Sequence, residues 1–131
     1  MVLVDTSVWI DFFAGRKASQ VTTLISLLDR EETIAFTGFI LQELLQGCPD
    51  QVAANTIESH FAPFVEIFPQ RSSYRLAAKL YRDCRKKGRT IRSSMDCLIA
   101  ACAMEHDCLI HHKDRDFTHL EKVCNLKVLK P

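Results

Sequence analysis

Val2-Leu3-Val4-Asp5-Thr6-Ser7-Val8-Trp9-Ile10-Asp11 is the stretch that decides the fold. Three apolar residues in a row, without polar alternation, mark a strand buried on both faces of a parallel sheet. Asp5 follows at once and is among the best helix N-caps. Thr6 to Ala14 then places Val8, Trp9, Phe12 and Phe13 on one inner side, and Gly15 ends the helix. A short apolar strand that closes on an acid and turns directly into a helix opens an α/β unit.

Working outward, the same plan recurs. Val21, Leu24, Ile25 and Leu28 sit at helical spacing within Ser19–Arg30, and Thr33-Ile34-Ala35-Phe36 is a short strand. Thr37 caps a helix through Leu45 that stops at Gly47, and Pro49 opens another to about Phe61. A strand spans Phe64–Phe68, and a helix over Ser72–Lys87 turns Leu76, Ala77, Leu80, Tyr81 and Cys84 inward before Gly88. Ser93-Ser94 begins a helix over Met95–His106, followed by strands at Cys108–Ile110 and Leu126–Leu129. Strands alternating with helices imply right-handed crossovers. The expectation is a three-layer α/β/α domain with a mainly parallel sheet of four or five strands. Ligands in such sheets gather beyond the carboxyl ends of the strands.

The chain of 131 residues reads as one domain over residues 1–131, with no repeat, low-complexity segment or linker. Its hydrophobic fraction of 47% and charged fraction of 25% are globular values that exclude disordered and collagen-like classes. The longest apolar stretch, Cys97–Met104, falls far short of the roughly 20 residues of a bilayer span. Met1-Val2-Leu3-Val4 lacks the basic region of a signal peptide, so a cytoplasmic protein without a membrane partner is expected. Seventeen basic and 16 acidic residues give a net charge of +1, so any nucleic-acid partner must be read from charge distribution. None of the six cysteines forms a C-x-x-C pair; Cys97 and Cys102 lie in an apolar helical run, which predicts buried, reduced thiols.

Each acidic residue has an ordinary explanation. Asp5 can cap a helix, Glu43 can lie on a solvated helix face, and Asp96 stands at capping-box spacing from Ser93. Asp114 and Asp116 can form a turn or cap the next helix. Together they say more. Asp5 and the Asp114/Asp116 pair each follow a strand, while Glu43 and Asp96 lie on helices that open just after the carboxyl edge. Like charges about 4 Å apart repel by roughly 4 kcal/mol per pair at an effective dielectric of 20. Protons or a divalent cation must neutralise such a cluster. Hard oxygen ligands without His or Cys favour Mg²⁺ or Mn²⁺ over zinc. A cation so held activates water and stabilises charge on a phosphodiester.

Val2-Leu3-Val4-Asp5-Thr6-Ser7-Val8-Trp9-Ile10-Asp11, Gln42-Glu43-Leu44, Arg92-Ser93-Ser94-Met95-Asp96-Cys97-Leu98-Ile99-Ala100 and Asp114-Arg115-Asp116-Phe117 resemble, in order, the motifs of PIN domains. Size and extent, residues 2 to 129, are similar to VapC-type toxins of bacterial toxin–antitoxin pairs. The resemblance implies a Mg²⁺-dependent endoribonuclease, usually a homodimer, inhibited by a small VapB-type antitoxin. By motif it implies metal and catalytic positions at Asp5, Glu43, Asp96 and one of Asp114 or Asp116, with Ser7 steadying Asp5 or a bound water. The chain departs from many relatives by carrying His112-Lys113 where they have Thr, Ser or Asn.

Six basic residues and one acid lie between Arg82 and Arg92. Helix-dipole interaction accounts for Arg85, Lys86 and Lys87; Arg89 and Arg92 lie beyond the stop, and with Lys87 are candidates for gripping RNA phosphates. Adjacent His111 and His112 would point to opposite faces of a strand, which argues against joint metal ligation. A thiol nucleophile at Cys97, a receiver domain, a processing nuclease outside toxin–antitoxin pairs and a catalytically silent RNA-binding module are the competing readings. The receiver plan needs an early adjacent acidic pair and a late Lys, which Asp5-Thr6 and Glu31-Glu32 do not supply.

Overall fold

A computed structural model describes residues 1–130. In chain order the elements are β1 (Val2–Val4), α1 (Thr6–Phe13), α2 (Ser19–Asp29), β2 (Ile34–Thr37), α3 (Gly38–Gln46), α4 (Gln51–Phe61), β3 (Val65–Ile67), α5 (Arg71–Lys86), α6 (Ser94–Glu105), β4 (Leu109–His111) and α7 (Arg115–Cys124). The strands form one sheet in the order β3-β2-β1-β4. Every pairing is parallel, with Leu3 opposite both Ala35 and Ile110.

Strand order fixes the layers. From β1 through β2 to β3 the chain steps in one direction, so right-handed crossovers lay α1 to α4 on one face. It then returns past β1 to β4, which sends α5 and α6 to the other face. Packing agrees: α1 contacts α2 and α3, α3 contacts α4, and α5, α6 and α7 contact one another. The reversal leaves a switch point between β1 and β4.

Burial follows from this layering. Leu3 and Val4 are fully enclosed, as a central strand covered on both faces requires. In α6, Cys97 and every residue from Ile99 to Ala103 are buried, so the helix is apolar all round rather than amphipathic. Trp9 anchors the other layer, with Phe13, Phe61 and Phe64 ring centroids within 5.7 Å of it.

Three local expectations change. The last strand, Leu126–Leu129, reduces to a single parallel bridge between Val128 and Ile110, so the sheet has four strands. Helix α4 begins after Pro49, because Asp50 takes the N-cap and accepts from the Ala53 N–H at 2.9 Å. In α2, Ile25 faces solvent and Leu27 is buried, since packing against α1 covers only the narrow stripe of Val21, Leu24 and Leu27. Gly88, at φ +73°, supplies the left-handed residue that ends α5 as expected.

Candidate active site

The carboxyl edge at the switch point gathers acids from separate segments. Asp5 leaves β1 and caps α1; Asp114 follows β4 and caps α7; Asp96 and Asp116 lie in the first turns of α6 and α7. Three helix N-termini therefore direct their partial positive charge toward this edge. Oxygens of Asp96, Asp114 and Asp116 lie within 4.8 Å of one another.

Asp116 is buried and held from behind. Its Oδ2 accepts from the backbone N–H of Arg92 at 3.1 Å and of Ser93 at 3.0 Å. That explains why the capping box expected at Ser93 does not form: the N–H that Asp96 would accept goes to Asp116, and Ser93 caps α6 without a side-chain bond. Asp96 is thus free of structural duty at its own helix end. Asp114 has a cap to make, accepting from the Asp116 N–H at 2.9 Å.

These environments separate the protonation states. Burial pushes the Asp96 carboxyl up to about 9, helped by its hydrogen bond to Asp116 and repulsion from Asp5, Asp114 and Asp116. Burial works in the same direction on Asp116. There the hydrogen bonds from Asp96, Arg92 and Ser93, with the Arg92 charge, outweigh it and hold the carboxyl below the usual range. The proton of this pair therefore belongs with Asp96 and the charge with Asp116. Asp5 is also raised, by burial first, although two bonds from Ser7 oppose the shift.

Ser7 hydrogen-bonds Asp5 from both its hydroxyl and its backbone. Its Oγ donates to Asp5 Oδ2 at 2.7 Å and its N–H donates to the same oxygen at 3.1 Å. The Oγ also accepts from the Lys113 N–H at 3.0 Å, tying α1 to the β4–α7 loop. Glu43 lies outside the tight group. It is exposed, and its Oε1 accepts from Thr6 Oγ1 at 3.0 Å, so it joins the edge beside Asp5.

The basic run divides. Arg92 reaches the site, with Nη2 3.5 Å from Asp114 Oδ1 and Nε 3.8 Å from Asp116 Oδ1. Arg89 donates to His119 Nδ1 at 3.1 Å, and Lys87 is the exposed C-cap of α5. His111 and His112 do turn to different neighbours: His111 donates to the Gln20 carbonyl at 2.8 Å, while His112 packs on Phe117. Burial drives the Cys97 thiol up to about 12, so it is not a thiolate nucleophile. Among the described residues all six cysteines are free.

Two contributors escaped the sequence reading. Thr6 is buried and orients Glu43. Asp11 is buried and takes the ammonium of Lys113 and, at 2.9 Å, the guanidinium of Arg16. The Lys113 and Arg16 hydrogen bonds hold its carboxyl below the usual range. The available signal was an acid one turn after Ser7 on the inner side of α1, with Arg16 just past the helix end.

Residues 2–123 match the PIN domain family. The chain belongs to the PIN-domain family. Within it, this PIN domain stands with the VapC proteins. It is 35% identical over 130 residues to VapC ribonuclease Mb1587 of Mycobacterium bovis, covering 97% of this chain and 96% of that protein. Among solved structures it is similar to VapBC2 from Rickettsia felis bound to a DNA fragment from its promoter. That match has a TM-score of 0.75 at 17% identity and covers 98% of each chain. VapBC-1 from nontypeable Haemophilus influenzae gives 0.75 at 18%, covering 99% of this chain and 98% of that one. Those two likenesses bear on the fold; the curated relative places the chain among VapC proteins.

Proposed function

We infer that this PIN domain, residues 1–131, is the toxin endoribonuclease of a toxin–antitoxin pair, hydrolysing RNA phosphodiesters with Mg²⁺ or Mn²⁺. The observation that carries the reading is the meeting of Asp96, Asp114 and Asp116 within 4.8 Å, at the sheet's switch point. The donor set fits a hard divalent cation: all are carboxylate oxygens, and the repulsion among them that helps raise Asp96 is what a cation would relieve.

Asp96, Asp114 and Asp116 would hold the ion, with Asp5 and Glu43 completing the acidic rim. The ion when bound supplies a nucleophilic water and charge stabilisation at phosphorus. The chain's own residues do the rest. Ser7 fixes Asp5, Thr6 fixes Glu43, and the Arg92 and Ser93 amides fix Asp116. Arg92, with Arg89 and Lys87 behind it, meets phosphates flanking the scissile bond. Water adds to phosphorus, one P–O ester bond breaks, and the leaving oxygen takes up a proton.

The partner in this reading is a VapB-type antitoxin, in keeping with the VapBC complexes among similar structures. An apolar groove of about 640 Å³ lined by Ile10, Phe13, Leu44, Pro49 and Ile57 runs to Glu43. It would take an apolar antitoxin segment and bring a cationic side chain to the acids. The enzyme works as a homodimer in the cytoplasm; among the described residues no helix is long and apolar enough to cross a membrane. The test is Mg²⁺-dependent cleavage of RNA by the purified protein, compared with Asp96→Asn and Asp5→Asn. Loss by orders of magnitude in variants folded by circular dichroism is expected; full activity in either, or cleavage that survives EDTA, overturns the reading.

A further inference from the structure

Beside the acidic cluster, a groove of about 730 Å³ lies between α5 and the start of α6. From α5 it is lined by Tyr74, Ala78, Tyr81, Arg82 and Arg85, and from the α6 side by Arg92. Positions 74, 78, 81, 82 and 85 form one face of a helix with 3.6 residues per turn. Three guanidinium groups and no carboxylate line it. Arg92 closes one end, and Arg92 is the residue that touches Asp114 and Asp116.

Two aromatic rings stand in the same groove. Tyr74 is 57% exposed, and Tyr81 is half-buried with the Arg85 guanidinium 6.0 Å from its ring centroid. Seven residues separate them, about 10 Å along the helix axis at 1.5 Å per residue. A cationic groove with spaced aromatic platforms is how proteins hold single-stranded nucleic acid: cations follow the backbone and bases stack on the rings. A peptide would find no carboxylate here for its basic groups. A second copy of this face would oppose arginine to arginine. A polyanion with flat bases meets the three guanidinium groups and the two rings, and the apolar remainder of the lining, Ala77, Ile91, Met95 and Leu98 among it, gives the faces of the bases further contact.

We propose that the α5–α6 groove, through Tyr74, Tyr81, Arg82 and Arg85, is the track on which a single-stranded RNA lies as it enters the acidic site past Arg92. The proposal rests on the ribonuclease reading and extends it to a substrate form, an unpaired strand, and to residues beyond those flanking the scissile bond. A base-paired helix would present its backbone but no free base faces to the two tyrosines.

The test is fluorescence anisotropy with a labelled, unstructured oligoribonucleotide of about a dozen nucleotides, in EDTA, so that cleavage plays no part. Tyr81→Ala should weaken binding about tenfold, and Tyr81→Phe should restore it, because stacking needs the ring and not the hydroxyl. Arg82→Ala with Arg85→Ala should flatten the slope of log affinity against log salt by about 1.4, at roughly 0.7 per phosphate contact. Arg82→Lys with Arg85→Lys should keep that slope. The rise of melting temperature with Mg²⁺ should stay at the wild-type value throughout; Tyr81→Ala, which truncates a ring packed against the core, should lower the melting temperature itself, and Tyr81→Phe should restore it. Unchanged affinity and salt slope in the alanine variants overturn the track and leave the ribonuclease reading standing if the wild type still cleaves. A wild type that binds through these residues but cleaves nothing in Mg²⁺ retains the track and removes the ribonuclease reading. Failure of the wild type to bind the strand, equal affinity for a duplex, or loss of self-association in place of RNA binding overturns the track.

Discussion

Asp96→Asn is expected to stabilise the metal-free protein while it destroys cleavage. Asp96 carries no cap, and in its neutral form it donates a hydrogen bond to Asp116 that an amide can also donate. What the substitution removes is a carboxyl whose ionised form the fold penalises. Below about pH 4 the carboxyl is neutral both folded and unfolded, and wild type and variant should differ little. Between the ordinary value of 3.8 and the folded value of about 9, the unfolded wild type has lost a proton that the folded one keeps. Wild-type stability therefore falls with rising pH, by up to about 1.4 kcal/mol per pH unit, and the loss is complete above the folded value. That span sets a ceiling of about 7 kcal/mol. Asp96 is only half-buried, so water and salt screen much of it, and about 1 to 3 kcal/mol is expected at neutral pH.

At roughly 4 °C per kcal/mol for a chain of this size, the variant should melt about 4 to 12 °C higher in EDTA. The gap should be small in acid, open through neutrality and level off in mild alkali. Excess Mg²⁺ should close it from the other side, since an ion at a hundred times its Kd stabilises the wild type by about 2.7 kcal/mol. Thermal melts of both proteins across this pH range, with EDTA and with Mg²⁺, provide the measurement. A variant less stable than wild type in EDTA at every pH, or a gap that ignores pH, would refute the argument that these carboxylates repel one another.

Asp114→Asn should leave the stability within about 0.5 kcal/mol of wild type, because Asn caps a helix as well as Asp, yet lose cleavage. Asp116→Asn should cost about 1 to 3 kcal/mol as well as activity, since its buried carboxylate accepts charge-assisted bonds from two backbone N–H groups; circular dichroism melts separate the two. Asp11→Ala should release Lys113 and loosen the loop that carries Asp114, lowering kcat about tenfold or more with little change in KM; steady-state kinetics that show only a KM effect would contradict this positioning role. A purified stoichiometric complex with the antitoxin should not cleave RNA, and Phe13→Asp should weaken that complex; cleavage undiminished by the bound antitoxin would remove the groove at Ile10 and Phe13 from consideration.

What could be read from the sequence was local. Val2–Val4 announces a buried strand because three apolar residues in succession have no exposed face to serve. Asp5, Thr37 and Gly88 punctuate helices through bonds or dihedral angles that involve neighbours within three residues. Leu126–Leu129 misled for the opposite reason. Its apolar character is real, and Leu126 is buried, but whether an apolar run pairs as a strand or merely packs depends on the edge available to it. Ile25 is a similar case, since the width of the stripe that α2 buries is set by α1 and not by α2.

The site adds distance to the problem. Asp96 looked like half of a capping box because its nearest partner in sequence, Ser93, is three residues away. Its structural freedom comes from Asp116, which takes the Ser93 N–H across 23 residues. Asp11 drew no role from the sequence because Lys113, which it holds, lies 102 residues downstream. The acids themselves were legible as types and positions, each just beyond a strand or at a helix start. Their convergence needed one further fact, that the chain reverses direction after β3 and brings β4 to the open side of β1. Had β4 paired outside β3 instead, it would have lain three strand spacings of almost 5 Å each from β1, and Asp5 would have stood apart from Asp114 and Asp116 with its ordinary explanation as a helix cap. Strand order, more than any single motif, makes this edge a place where carboxylates must share a proton or a cation.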